Sequence, residues 1–585
     1  VGVGYQALNG AMTSDATGSV GVGYRALKAL TSGADNVALG FEAAKGLTTG
    51  NSNVVLGDSA LAAADGAEAR NIAIGYRAGG SINSDTAHDN VLIGTDAGKA
   101  GAGAIAENVI IGSEAGDSSG AAAFEKGVII GRHAGRNVGA DASGSVLIGF
   151  QAGTVISSAQ YNVGIGYNAF VSMGAGDANV AIGYQAGEDY NPSANTGNCV
   201  FIGAQAGLNA SSTVKTTFIG AGSGGSGATS GSENTAVGYQ SGYALTAGTH
   251  NVCIGNESGK SIAAGDSNTV VGSQALKDDD DGNLSTALGY AALNKQNLGS
   301  DIHSKNTGVG AYAGYYNVLG TANTCIGYEA GFSTSNVSRD YDNNTFVGNA
   351  AGKGVTSGSH NTALGAQSGQ TITTGISNVF IGHASGSDLT SGNANVTIGK
   401  DCGQAIESGS DNVIIGSGAN VAAEDRTGTI VIGKNLTSAA DNHARIGGSN
   451  FTELNFSGTG NSWANTSDIR MKRNVVDSDL GLNFINKLKP IKYQDKPTSE
   501  WTDELKSTLK PENISTKSND TVFDGFVAQE VKKVADDLGT TFSGWQCADE
   551  KDLTERQMLQ YDKFVVPLVK AVQELSARVK ALEDA

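Results

Sequence analysis

The sequence predicts a mainly β chain: a long stack of short strands forming a β-solenoid or β-roll fibre, then a small mixed α/β domain that ends in a helix. Three observations carry this. A unit reading Asn-Val-x-Ile-Gly recurs through the first three quarters. Glycine supplies 85 of 585 residues while proline supplies only five. The composition then breaks near residue 449, where the glycines and the repeat stop together.

Clear copies of the unit are Asn71-Ile72-Ala73-Ile74-Gly75, Asn108-Val109-Ile110-Ile111-Gly112, Asn179-Val180-Ala181-Ile182-Gly183 and Asn412-Val413-Ile414-Ile415-Gly416. Looser ones include Thr217-Phe218-Ile219-Gly220 and Thr345-Phe346-Val347-Gly348. The anchor glycine runs from Gly4 to Gly447 in 26 copies, usually 17 to 19 residues apart. A short β-branched run, small residues and a polar turn suit one rung of a solenoid. One rung cannot bury an apolar face alone, but a stack can. The anchor glycine is expected to supply a backbone conformation or a close approach that a Cβ forbids. The Asn that opens each unit could build side-chain ladders or cap turns. At about 4.8 Å per rung, the array would form a rod on the order of 120 Å long.

Three coils carry longer excursions, 188–198, 291–305 and 329–343. Such insertions emerge on one face of a solenoid, often a binding face, although neutral length variation explains them as well. Tyr24, Tyr76, Tyr167, Tyr184, Tyr239, Tyr290 and Tyr328 each follow an anchor glycine. This aromatic row could stack on sugars, with packing between coils or chains as the plainer reading. The acidic run 278–281 lacks EF-hand spacing and reads as a solvated turn. His133 and His383 are read as equivalent positions after an anchor glycine, with surface or packing roles favoured over a metal.

The bulk numbers exclude several classes. A net charge of −19 with no basic run disfavours nucleic acid. Cys199, Cys253, Cys325, Cys402 and Cys547 form no CxxC pair, so no zinc site or disulfide framework is expected, and no cofactor. They read as small buried hydrophobes in a reducing compartment. No run of about 18 apolar residues predicts membrane insertion. The chain opens in mid-repeat at Val1, so an N-terminal portion is expected to precede it.

The expected domains are a repeat fibre over 1–448, a linker over 449–466, and a globular domain over 467–585. From Ser467 onward only four glycines remain, with four of the five prolines and 18 of the 38 Lys and Arg. Leu482, Ile485 and Leu488 mark a helix face that ends before Pro490. Residues 491–494 suit a strand. Val527, Val531, Val534 and Leu538 fall on one helical face. Tyr561, Val565, Leu568, Val572, Leu575, Val579 and Leu582 alternate four and three apart, a heptad seam in which Pro567 marks a kink or a fresh start. The seam predicts either self-association or packing on its own domain.

Ser467 and Lys472 stand five residues apart. A serine needs a base to become a nucleophile, and a desolvated lysine can serve. Spacing alone is weak support. The segment around them says more. Ser467-Asp468-x-Arg470-x-Lys472-x-Asn474 resembles the opening of the self-cleaving intramolecular chaperone domain of phage endosialidases, tail fibres and tail spikes. Leu488-Lys489-Pro490-x-Lys492-Tyr493, Gly525-Phe526-Val527-Ala528-Gln529-Glu530-Val531 and 561–575 resemble its later segments, in order. The resemblance implies a domain that helps three chains fold and then cuts the bond before the serine. Carried over, the scissile bond is Thr466–Ser467, Ser467 is the nucleophile and Lys472 its base. Asp468 and Arg470 would orient the loop, and Gln529 and Glu530 match a motif without a chemical step. The repeat resembles the head repeats of trimeric autotransporter adhesins, with a longer period.

These resemblances imply a homotrimeric phage tail fibre or spike, assembled in the host cytoplasm, carried on the virion and binding a host-surface glycan or protein receptor. The alternatives are a bacterial surface adhesin or a purely structural stalk bearing the same domain. A glycan-degrading enzyme would need paired carboxylates in a cleft, and the repeats offer no recurring pair.

Overall fold

The computed structural model describes residues 1–99, 105–117, 124–139, 142–193, 196–225, 227–299, 303–333, 340–448, 451–457, 469, 472–501, 521–547 and 557–585. It divides into two compact units, Val1–Asn465 and Thr466–Ala585.

The first unit is a parallel β-solenoid. One 27-stranded sheet runs through it, and only Phe451–Ser457 pairs antiparallel. The rungs stack in strict register: Val20 pairs with Val37, Val37 with Val54, and Val54 with Ile72. Most strands are three residues long, and their burial follows one rule. The middle residue points into the coil and is buried, while the residues on either side stay at the surface. Val37 and Leu39 are 40% and 46% exposed around buried Ala38. Stacking buries a continuous apolar core, as expected. Of each three-residue strand one chain buries only the middle x position, and the Ala and Leu that follow the anchor glycine complete the core. The recurring Val and Ile form a continuous outer strip.

The anchor glycine is needed for both reasons expected of it. From Gly4 to Gly433 every anchor has φ between +126° and +151°, a region closed to residues with a Cβ. A Cβ on Gly75 would also lie 2.5 Å from the carbonyl oxygen of Gly94, the next anchor. Other positive-φ positions carry ordinary side chains. Arg25, Glu42 and Ser59, each two residues past an anchor, sit at φ +54° to +57°. Asp35, Ser52 and Arg70, each just before the rung's Asn position, sit at +57° to +59°. Such residues cost on the order of 1–2 kcal/mol each. They persist because backbone bonds to adjacent coils hold them: Arg25 N–H donates to Tyr5 C=O and Glu42 N–H to Tyr24 C=O, both at 2.8 Å.

The Asn positions form a buried ladder. Asn53 donates its side-chain amide (2.9 Å) and its backbone N–H (3.0 Å) to Asn36 Oδ1. The same amide reaches the Glu68 carbonyl at 2.8 Å. The ladder runs unbroken from Asn306 to Asn412. Two of its breaks are repaired by the long excursions. Where Cys199 takes the Asn place, Tyr190 turns inward and its hydroxyl donates to Asn179 Oδ1 at 3.1 Å. Where Ser285 takes it, Gln296 turns inward, donating to Ser285 Oγ (2.9 Å) and accepting from the Asn306 amide (3.0 Å). Tyr341, from the third excursion, is also fully buried and donates to the Gly331 carbonyl at 2.7 Å. The described parts of all three excursions thus send a polar side chain into the core.

Two smaller readings change. Asp279 is not in a solvated turn: it is fully buried, with Oδ2 2.6 Å from the Gln296 amide and Oδ1 without a hydrogen-bond partner. Desolvation raises its carboxyl to about 6. His133 and His383 are not equivalent. His133 is second after Gly131, at φ +59°, with Nε2 3.3 Å from Glu114. His383 directly follows Gly382, with Nδ1 3.6 Å from Asp401. Cys199, Cys253, Cys325 and Cys402 are buried, and Cys547 is half-buried.

Candidate functional site

The second unit builds one small core from segments far apart in sequence. Helix α1 (Leu482–Lys487) brings Phe484, helix α2 (Ala528–Asp537) brings Val531 and Ala535, and Phe542 and Phe564 close the cluster. Strand Ile491–Tyr493 pairs antiparallel with Phe523–Gly525, joining two segments that carried the resemblance. A second hairpin-like pair joins Trp545–Cys547 to Gln557–Leu559.

Two contacts fix the ends of these elements, and sequence reasoning missed both. The carboxylate of Glu574 accepts from the first N–H of α1, Leu482, at 2.8 Å. Gly481 permits that approach, because a Cβ there would meet the same carboxylate at 2.5 Å. The hydroxyl of Tyr561 accepts from Phe526 N–H at 3.0 Å. No local pattern announces either partner, since they lie 92 and 35 residues away.

Helix α3 (Val565–Glu583) resolves the heptad question. Tyr561 lies before it, in a 3-10 turn over Tyr561–Phe564, so the helical seam begins at Val565. Pro567 is in the first turn of α3, where its missing N–H costs no helical bond, and so marks a fresh start. The side packed on the domain is formed by Phe564, Pro567 and Ala571. The heptad positions are elsewhere: Val565, Leu568, Val572, Leu575, Val579 and Leu582 are 46% to 78% exposed.

The expected catalytic residues are only partly described. Thr466, Ser467, Asp468 and Arg470 lie outside the described residues. Lys472 is exposed, and its N–H donates to the Ile469 carbonyl at 3.1 Å. Gln529 and Glu530 are exposed on the first turn of α2. Glu530 helps line a cavity of about 340 Å³ with Leu488, Phe526, Val527, Val531 and Val534, joined by Lys487, Lys489, Lys533 and Asp537. The Leu-Lys-Pro and Gly-Phe-Val-Ala-Gln-Glu-Val segments therefore meet at one concave surface, and Lys472 is not among the residues that line it.

Among the described residues no group of His, Cys, Asp or Glu could hold a metal, and no helix is long and apolar enough to cross a membrane. No curated protein matches the chain. Residues 467–540, which hold Lys472, α1 and α2, match the family model Peptidase_S74, chaperone of endosialidase.

Proposed function

We propose that the chain is a phage tail fibre or tail spike, a homotrimer whose C-terminal unit aligns three chains and then cuts itself away at Thr466–Ser467. One observation carries the reading. A solenoid whose recurring Val and Ile remain on its surface is followed by a unit that matches the chaperone of endosialidase family from Ser467 onward. Both the outer solenoid strip and the free seam of α3 want an apolar partner that one chain lacks. Two further copies supply both at once, strip against strip and helix against helix.

The chemistry follows from the residue types. Ser467 Oγ attacks the Thr466 carbonyl, and its proton passes to the amine of Lys472. The Thr466–Ser467 C–N bond then breaks as Lys472 returns the proton to the Ser467 nitrogen, leaving a free α-amine and an ester between the Thr466 carbonyl carbon and Ser467 Oγ. Water hydrolyses that ester to the Thr466 carboxylate and the Ser467 hydroxyl. A lysine base must be neutral to accept the proton, and burial favours the neutral amine. Lys472 is exposed in a single chain. Its desolvation must therefore come from assembly, which would delay the cut until the fibre has formed. Once the unit departs, refolding lacks its nucleus and the fibre is held kinetically. The mature fibre would stand on the virion and bind a host-surface glycan or protein.

Gel electrophoresis of freshly expressed protein, with and without heating, tests this. The wild type should give a heat-sensitive oligomer and a released fragment of residues 467–585. Ser467→Ala should keep the oligomer and lose the fragment. Unchanged processing in Ser467→Ala rules out the nucleophile.

A further inference from the structure

Aromatic rings occupy the solenoid surface in two arrangements. Tyr5, Tyr24 and Phe41 stack nearly parallel, at 13° and 8°, and so do Phe150, Tyr167 and Tyr184, at 17° and 22°. In such runs each ring's face covers the next. Around coils 289–332 the order changes. Tyr290 and Tyr328 follow their anchor glycines, but the coil between them carries Ala311 at that place. Tyr312, one residue on, fills the gap edgewise, at 85° to Tyr290 and 87° to Tyr328. Tyr315, Tyr316 and Phe332 extend the cluster, with centroids 4.6 to 5.6 Å apart.

The outward sides of this cluster are open. The coils beyond it carry Ser273 and Asn349 where the stacked runs would carry another ring, and both are too small to cover one. Tyr290 is 47% and Tyr328 49% exposed, much as Tyr167 and Tyr184 of a stacked run are, so the edgewise packing and not the exposure sets this cluster apart. Two described lysines near it are paired: Lys295 with Asp278 at 2.6 Å, and Lys353 with Glu329 at 2.5 Å. The Lys353 ammonium also stands 5.7 Å from the centroid of Phe332. Among the described residues the patch therefore offers flat ring faces, phenol hydroxyls and paired charges.

We infer that this cluster is a binding platform for a neutral pyranose oligosaccharide. The apolar C–H face of a sugar ring matches an open aromatic face, while its hydroxyls need the donors and acceptors that border it. An acidic polysaccharide fits worse, because the chain carries −19 and the described lysines Lys295 and Lys353 are already paired with carboxylates. The inference rests on the surface-recognition reading above and names the ligand class and the place.

The test uses the full chain on an array of neutral gluco-, galacto-, manno- and N-acetylhexosamine oligosaccharides, with sialylated and uronic-acid glycans beside them. The wild type should bind at least one neutral member. The double variant Tyr290→Ala/Tyr328→Ala should bind it at least tenfold more weakly, with its melting curve and sedimentation unchanged. Tyr24→Ala, inside a closed stack, should bind as the wild type does. Retained binding in the double variant, equal loss in Tyr24→Ala, binding of acidic glycans only, or no oligosaccharide bound at all overturns the inference. So does loss of binding that tracks a changed oligomeric state, since the patch would then be a contact between copies. Wild-type adhesion to a panel of bacterial cells separates the two readings. Adhesion that survives the double variant leaves recognition standing and removes this patch, whereas absence of both adhesion and array binding removes recognition itself.

Discussion

In the solenoid, Asn378 takes a hydrogen bond from the Asn395 amide in the next coil and gives one to Asn361 in the coil before, each at 3.0 Å. In the C-terminal unit the comparable contact joins Leu482 to Glu574, across 92 residues. The first kind of contact repeats with nearly the same partners in coil after coil. A coil stacked one rung out of place recovers most of it, so register is weakly specified. The second kind has one solution. A repetitive unit gains stability by addition but identifies its own alignment poorly, while an aperiodic one of modest core identifies alignment well. That division explains why an aperiodic folding aid would be useful at the end of such an array. It also gives the buried excursion residues a role. Tyr190, Gln296 and Tyr341 each mark one coil as unlike the rest.

The largest effect should come from the free seam of α3. Val572→Glu with Leu575→Glu is expected to abolish the oligomer in sedimentation while the near-ultraviolet circular dichroism of the C-terminal unit persists. The reason is that the unit packs through Phe564 and Ala571 on the other side of the helix. An intact oligomer would break the claim that the two units share one partner. Next comes a pair of glycines two residues apart. Gly166→Ala places a Cβ against the Gly183 carbonyl at φ +143°, and should cost at least about 3 kcal/mol in denaturant midpoints. Gly164→Ala points into the core, 3.3 Å from Leu147, where other coils already carry Ala, and should change stability by less than about 1 kcal/mol. Equal effects would mean that the anchor contact is not what holds the coil.

A smaller loss is expected from Asn378→Ala, about 2–3 kcal/mol, because it strands the backbone N–H of Asn395 and the carbonyl of Gly392. The same truncation at exposed Asn297 should be nearly silent. The smallest effect depends on pH. The folded Asp279 carboxyl is at about 6, above its ordinary 3.8. Below 3.8 it is protonated in both states. Between the two values only the unfolded chain loses the proton, so stability falls as pH rises, and above 6 the full penalty is present. Asp279→Asn should therefore raise the unfolding free energy above pH 6, by roughly 2 kcal/mol or less, and leave it unchanged near pH 3.5, as read from denaturant midpoints at the two pH values. A gain independent of pH would show that burial of this charge is not the cause.

Much of this was legible in the residues. The Asn-Val-x-Ile-Gly period announced the solenoid, because each rung repeats one backbone conformation and so must repeat the residues that permit it. The anchor glycine followed from sterics, and the ordered motifs after Ser467 located the segment that matches a family. The face assignment was not legible. Val-x-Ile alternates the same way whether the pair or the middle residue points inward, and only the closure of the coil decides it. The left-handed positions at Arg25 and Asp35 left no trace either, since neighbouring coils, not local propensity, hold them there. Tyr190 and Gln296 looked like loop residues until gaps in the Asn ladder gave them partners, and Tyr341 until the Gly331 carbonyl did. Glu574 and Tyr561 found theirs dozens of residues away. Sequence determined what repeats, because local sterics and periodicity are written locally. Tertiary structure alone decided what faces inward and what fills each exception, because those are set by neighbours distant along the chain.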